Sequence, residues 1–282
     1  MAMSEPSQPL SGADLARLCD FLYRKTGMQF GESKRYYIER RVADRIAATG
    51  TRSFGAYFAL VVSSAAECEL LINSFTVNET YFFREEHQLQ ALSQSLLPSI
   101  IEHKRPGDKI RIWSVPCSSG EEPYSIAIWL LENWRLVDAY HVEIVGSDID
   151  TQALRQARDG IYGERALSRL PPQLRHGYFH PVDEQRWQII DDLRESVIFR
   201  EVNIIDPASM EAEGRFDVVF CRNVLIYFDD LARLKAVRNL HGALAEGGYI
   251  CLGHSESMGR ISKDFKPVRL DDAIVYQKLP EA

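Results

Sequence analysis

Apolar positions follow two different rhythms along this chain. Over residues 11–75 they recur at helical spacing, as in Leu15, Leu18, Leu22 and Tyr23. Ser11 is placed to cap that first helix and Gly27 to end it. Ser33 is placed to cap SKRYYIERRVADRIAATG, which Gly50 closes. Ser53 opens FGAYFALVVSS, and ECELLINSF follows from Ala65 onward. The first 86 residues therefore read as an all-helical domain. Leu89, Leu92, Leu96 and Ile100 predict a linker helix over 87–104.

From residue 105 to 282 the rhythm changes. Short runs of branched and aromatic residues alternate with helical stretches, the pattern of an α/β domain with a parallel-centred sheet. KIRIWSV, HVEIVGSDID, FDVVFCRNVLIYF and GGYICLGHSES read as strands, EVNIIDP as the end of another, and VRLDDAIVYQKL as a closing hairpin. Between about 165 and 200 the alternation is broken. There RWQIIDD and SVIFREV read as the two strands of an inserted hairpin, turning around Asp191 to Ser196.

The most informative stretch is KIRIWSVPCSSGEEPYSIAIW, residues 109–129. A strand, a small-residue turn and a helix opening at Glu121 and Glu122 make the first half of a nucleotide-binding unit. The turn has one glycine, Gly120, so it is neither G-x-G-x-x-G nor a phosphate loop. Two acids at a helix start repel phosphate. They suit a ligand with hydroxyls and positive charge, such as S-adenosylmethionine, or they complement the helix dipole; the stretch alone leaves both open. Asp148, at the end of the second strand, is placed to hold a ribose hydroxyl. Asp150, before Thr151, is placed as a helix N-cap.

SFTVNETYFFRE, residues 74–85, sets Asn78 and Thr80 before three consecutive aromatics and Arg84. It reads as an aromatic clamp over a flat ligand or as a hinge between domains. The second helix carries Lys34, Arg35, Arg40, Arg41 and Arg45, with Lys34, Arg41 and Arg45 on one face. That face is either solvated or a docking surface for an acidic partner. GHSES shares only part of the hydrolase elbow G-x-S-x-G, since Ser257 takes the second glycine position.

Composition narrows the function further. A net charge of −7 argues against nucleic acid as the main partner. Five scattered cysteines give no disulfide framework and fit a reducing, cytoplasmic setting. MAMSEPSQPL lacks the basic and apolar regions of a signal peptide, and no apolar run reaches the roughly 18 residues of a membrane span. His176 and His180 stand too far from other ligand types to predict a metal.

Taken together and in order, NETYFFR, SSGEEPYSIA, GSDID and FCRNVLIYF resemble chemotaxis-receptor methyltransferases of the CheR type, over nearly the whole chain. The resemblance implies a class I, Rossmann-like methyltransferase domain with a small inserted β element, preceded by an all-α domain. It implies transfer of a methyl group from S-adenosylmethionine, leaving S-adenosylhomocysteine, to glutamate carboxylates on the cytoplasmic methylation helices of chemoreceptors. A cytoplasmic monomer, without membrane insertion, follows from the same likeness. Motif by motif it points to Asn78, Thr80, Arg84, Glu122, Asp148, Asn203, Ile204, Arg222 and Asn223 for the cofactor. It points to Arg84 and Tyr227 near the transferring methyl, and gives Lys34, Arg41 and Arg45 a receptor to dock on. Another methyl acceptor, or a non-catalytic receptor adaptor, are the alternatives. Some members tether a receptor's C-terminal peptide on the inserted element; the short turn without glycine argues against strong tethering here.

Overall fold

A computed structural model describes residues 9–280. The first eight residues, most of the stretch in which no signal peptide is read, lie outside the described residues. The chain forms two compact units. One holds residues up to Val77 together with Tyr227–Asp229; the other holds Asn78–Ile226 and the remainder from Asp230.

The helical unit contains α1 (Gly12–Thr26), α2 (Arg35–Thr49), α3 (Phe54–Ser63) and α4 (Ala65–Phe75). Local chemistry sets most of its ends. Ser11, Ser53 and Ser64 accept backbone N–H groups of the first turns, and Gly27 and Gly50 close α1 and α2 in the left-handed region. Ser33 is not a cap, as expected above; it lies in a short 3₁₀ turn, Glu32–Lys34, and α2 begins at Arg35. Leu18, Leu22, Ile38, Val42, Tyr57, Val61, Leu71 and Phe75 make the core. The segment Tyr227–Asp229 joins this unit through a β-bridge between Met28 and Phe228 and a hydrogen bond from Tyr23 to Asp229.

The larger unit opens with α5 (Glu86–Ala91), a π turn and α6 (Leu97–Ile101), in place of the uniform linker helix. Then come β1 (Lys109–Ser114), α7 (Glu121–Asn133), β2 (His141–Asp148), α8 (Thr151–Asp159) and β3 (Ile161–Gly163). The insertion continues through α9 (Glu164–Leu167), α10 (Pro172–Tyr178), β4 (Phe179–Pro181), β5 (Arg186–Ile189) and α11 (Asp191–Ser196). The chain finishes with β6 (Val197–Glu201), α12 (Pro207–Glu211), β7 (Phe216–Cys221), α13 (Asp230–Ala243), β8 (Leu244–Leu252), β9 (Phe265–Arg269) and β10 (Ile274–Lys278).

Seven strands form one sheet in the order β6-β2-β1-β7-β8-β10-β9. The first five run parallel and the last two form the expected antiparallel hairpin. This is a Rossmann-like order, and ligands bind such sheets where the order reverses, between β1 and β7, at the carboxyl ends of the strands. Both sheet edges are blunted. Arg158 Nη2 donates to the Phe199 carbonyl of β6 at 2.9 Å, and β9 carries Pro267, which has no N–H to offer.

Further expectations change. The units divide at Val77/Asn78, not at 86, because Phe82 and Phe83 belong to the second core. SVIFREV is not a hairpin arm: Val197–Glu201 pairs in parallel with β2. The inserted sheet is instead β3-β5-β4, turning at residues 182–185, where Asp183 accepts the N–H groups of Gln185 and Arg186. Asp191–Ser196 is helical, so the ground for expecting weak tethering falls. EVNIIDP ends a strand as expected, Glu201 being the last residue of β6, whereas FDVVFCRNVLIYF stops being a strand at Cys221.

Candidate functional site

The site is built where β1, β2, β6 and β7 end. At the β1–α7 turn Ser118 adopts φ 50° and Gly120 φ 92°. Gly120 is required: a Cβ there would sit 2.8 Å from the Ala157 side chain and 3.1 Å from the Tyr162 hydroxyl. The turn aims the Ser118 N–H at Asp148 Oδ2, 2.7 Å away, while Asp148 Oδ1 accepts the Asp150 N–H at 2.9 Å. Asp150 caps α8 with Oδ1 and accepts from Asn78 Nδ2 with Oδ2 at 2.7 Å. Ser118 Oγ donates to Asn78 Oδ1, so Asn78, Ser118, Asp148 and Asp150 are one connected group.

Arg222 centres a second group. It is 6% exposed and donates to Glu122 Oε2 at 2.6 Å, to Glu85 Oε2 at 3.2 Å and to the Arg84 carbonyl at 3.0 Å. Its Nε is buried without a partner. Ser114 Oγ donates to the other Glu122 oxygen. Arg222 thereby braces a strained segment, since Phe83 (φ 58°) and Glu85 (φ 56°) both hold the left-handed conformation. The Arg84 guanidinium folds back onto its own loop and donates to the Glu79 carbonyl at 2.8 Å. Thr80 is half-buried in that loop.

The acids differ in electrostatics. Burial pushes Asp148 up to about 6 and Glu121 up to about 7, and neither has a cationic partner among the described residues. Burial also raises Glu122, with Arg222 opposing it. Burial pushes Glu85 up as well, but Arg222 and His254 outweigh it and leave it below its ordinary value.

The sequence-derived residues are thus brought together unevenly. Asn78 and Asp148 share one network. Arg84, Glu122 and Arg222 share the other, with Asn223 (φ 60°) following directly. Asn203 and Ile204 lie in the loop after β6, tied back where the Val202 N–H meets the Asp148 carbonyl at 3.0 Å. Tyr227 belongs to the helical unit, where its carbonyl accepts the Gln29 N–H. Two of the three aromatics of NETYFFR are core: Phe82 packs edge-on against Tyr162 and Phe179, and Phe83 against Trp129, while Tyr81 is half-buried beside the Arg84 guanidinium. Glu85, Ser118 and the burial of Glu121 escaped sequence reasoning. The only signal for Glu85 was its place directly after Arg84.

In the helical unit Lys34 is exposed as expected. Arg41 lies 4.0 Å from the Tyr37 ring centroid and is half-buried. Arg45 corrects the expectation: its Nε and Nη2 hold both Glu67 oxygens, at 2.9 and 2.6 Å, as a structural ion pair. The outward face of α2 carries Tyr36 and Arg40.

A sulfonium cofactor with a ribose diol and an amino group fits this donor set. Asp148 keeps lone pairs for hydroxyls, the acids offer no welcome to phosphate, and nothing in the turn needs a metal. Among the described residues no cluster of His, Cys, Asp and Glu is suited to a metal ion, and no single helix is long and apolar enough to cross a membrane.

Comparison with known proteins agrees with this geometry. The family model "CheR methyltransferase, SAM binding domain" matches residues 78–274, and "CheR methyltransferase, all-alpha domain" matches residues 13–76. Chemotaxis protein methyltransferase 2 of Vibrio cholerae is 45% identical over 95% of this chain and 94% of its own. A probable chemotaxis protein methyltransferase of Rhizobium etli is 36% identical over 88% and 92%. The chemotaxis protein methyltransferase of Borreliella burgdorferi is 34% identical over 87% and 88%. The two matched models fall on the two compact units in turn, and the acids that suit a sulfonium lie within the second; the chain belongs to the CheR methyltransferase family and is an S-adenosylmethionine-dependent methyltransferase.

Proposed function

We propose that this enzyme methylates glutamate side chains on the cytoplasmic helices of chemoreceptors, forming glutamyl methyl esters. The relatives' names support the chemotaxis setting. The observation that carries the chemistry is the pair of buried acids with no cationic partner among the described residues, Asp148 at the end of β2 and Glu121 at the start of α7.

S-adenosylmethionine, when bound, supplies a methyl group on a positively charged sulfur that leaves as a neutral thioether. Asp148 accepts ribose hydroxyls, with Asn78 holding the turn through Ser118 and Asp150. Glu122, its orientation set by Ser114 and Arg222, offers negative charge to the cofactor's amino group. Asn203, Ile204 and Thr80 line the remainder. Arg84 draws in the incoming carboxylate.

The receptor glutamate has an ordinary pKa of about 4.3, so it arrives ionised and needs no base. One C–O bond forms, one C–S bond breaks, and no proton moves. The residues named above bind, align and exclude water, which can supply several kcal/mol. On the helical unit, Lys34 in the turn before α2 and Tyr36 and Arg40 on α2 present exposed positive charge to an acidic receptor surface.

The test is transfer of a radiolabelled methyl group to the host's chemoreceptors. Label lost on mild alkaline hydrolysis, and absent when receptor glutamates are replaced by glutamine, is the expected result. Transfer that survives glutamine replacement would end this substrate assignment.

A further inference from the structure

GHSES, residues 253–257, follows β8 and is unused by the chemistry above. Within it Glu256 makes three hydrogen bonds to backbone. Its Oε2 accepts the N–H groups of Asn223 at 2.8 Å and Gly253 at 2.9 Å, and its Oε1 accepts that of Leu225 at 2.8 Å. The Glu256 N–H returns to the Gly253 carbonyl at 2.9 Å. One carboxylate therefore ties the loop leaving β7 to the loop leaving β8.

The β7 loop needs such a tie. The strand ends at Cys221, so the following N–H groups have no neighbouring strand to meet. Asn223 also holds φ 60°, a conformation that costs free energy unless its surroundings enforce it. The junction is tight. A Cβ on Gly253 would lie 2.8 Å from Asn223 Nδ2 and 2.9 Å from Glu256 Oε2. Arg222 stands immediately before this point, and its guanidinium braces Glu122, Glu85 and the Arg84 carbonyl.

We infer that Glu256 is a positioning residue for the cofactor site: it holds the Asn223 backbone left-handed and so sets Arg222 and Asn223 in their working places. The inference rests on the reading that this pair serves the S-adenosylmethionine site.

Glu256→Gln is the informative change because it keeps size and shape. A carboxylate presents only acceptors, whereas a carboxamide must turn its NH₂ toward at least one of the three N–H donors. The measurement is S-adenosylhomocysteine binding by calorimetry, with a thermal melt of the same sample. Affinity should fall about tenfold or more in Glu256→Gln. Glu256→Asp, which keeps the charge, should bind better than Glu256→Gln. Combining Glu256→Gln with Asn223→Ala should cost less than the two single losses added together, because both act on one loop. Should Glu256→Gln not fold, Gly253→Ala strains the same junction and is expected to show the same loss of affinity. Native affinity in Glu256→Gln, with or without a lower melting temperature, would overturn the inference. Failure of the unsubstituted protein to bind S-adenosylhomocysteine would instead end the cofactor reading, and this inference with it.

Discussion

Each compact unit buries acids, and it treats them differently. In the helical unit Glu67, 6% exposed, receives both Nε and Nη2 of Arg45 and the Tyr57 hydroxyl at 2.9 Å. Burial, and next the bond to Glu67, raises the Tyr57 hydroxyl well above its ordinary value. In the α/β unit Asp148, 4% exposed, receives backbone N–H groups and, among the described residues, no cation. The first acid is spent on holding α2, α3 and α4 together. The second is left electrostatically hungry, and its pKa of about 6 against an ordinary 3.8 records the cost. A protein keeps such a cost where something else profits from it, and under the function proposed above that is a ligand carrying hydroxyls and positive charge.

The sharpest way to break the contrast is Glu67→Ala. It strands a largely buried arginine and should cost about 3 kcal/mol or more of the helical unit's stability, while S-adenosylhomocysteine affinity in still-folded protein stays native. Denaturant unfolding together with calorimetry reads both. A simultaneous loss of affinity would show that this ion pair also serves the cofactor.

Asp148→Ala should do the opposite. Each charged hydrogen bond to a hydroxyl contributes roughly 1.5–3 kcal/mol, so affinity should drop about tenfold or more. Stability should change less than for Glu67→Ala. The raised folded pKa of Asp148 contributes stability that is fully present below about pH 4 and lost as pH rises through about 6, so at neutral pH its charge already weakens the fold. Native affinity in the folded variant would reduce Asp148 to a turn-former.

The same carboxylate predicts a pH dependence of binding. Asp148 must be ionised to accept hydroxyls at full strength, so affinity should be level above about pH 7 and decline as pH falls through about 6. Calorimetry over pH 5–8 checks this, and a profile rising toward low pH would contradict it. The smallest effect is expected at the surface. Lys34→Glu with Arg40→Glu should lower receptor methylation only a few-fold, more at low salt than high, because exposed charges are worth about 1 kcal/mol or less each. Cofactor affinity should stay native, which calorimetry on the same protein reads.

Local signals were legible in the sequence and distant partnerships were not. Ser11, Gly27, Ser53, Gly50 and Asp150 act within a few residues of themselves, so their roles as caps could be read directly. The β1–α7 turn and the place of Asp148 at the end of β2 were legible for the same reason. SVIFREV was misassigned because a β run states its period and not its partner; β2, some fifty residues earlier, decides the pairing. FDVVFCRNVLIYF is apolar to its end, but Leu225 is buried in the α/β unit and Phe228 bridges Met28 in the other, so burial there is not strand. Arg45 looked like a surface charge because Glu67 lies on another helix. Glu256 was invisible, since two of its three partners are backbone N–H groups some thirty residues away, which every sequence possesses.

The blunted edges of the main sheet bear on how the molecule behaves in company. A sheet open at both ends invites a second copy to add a strand, and addition repeated end to end is a route to fibrils. Here one margin has a guanidinium seated on the Phe199 carbonyl, and the other has a proline among Lys266 and Arg269. Growth by strand addition is obstructed at both margins.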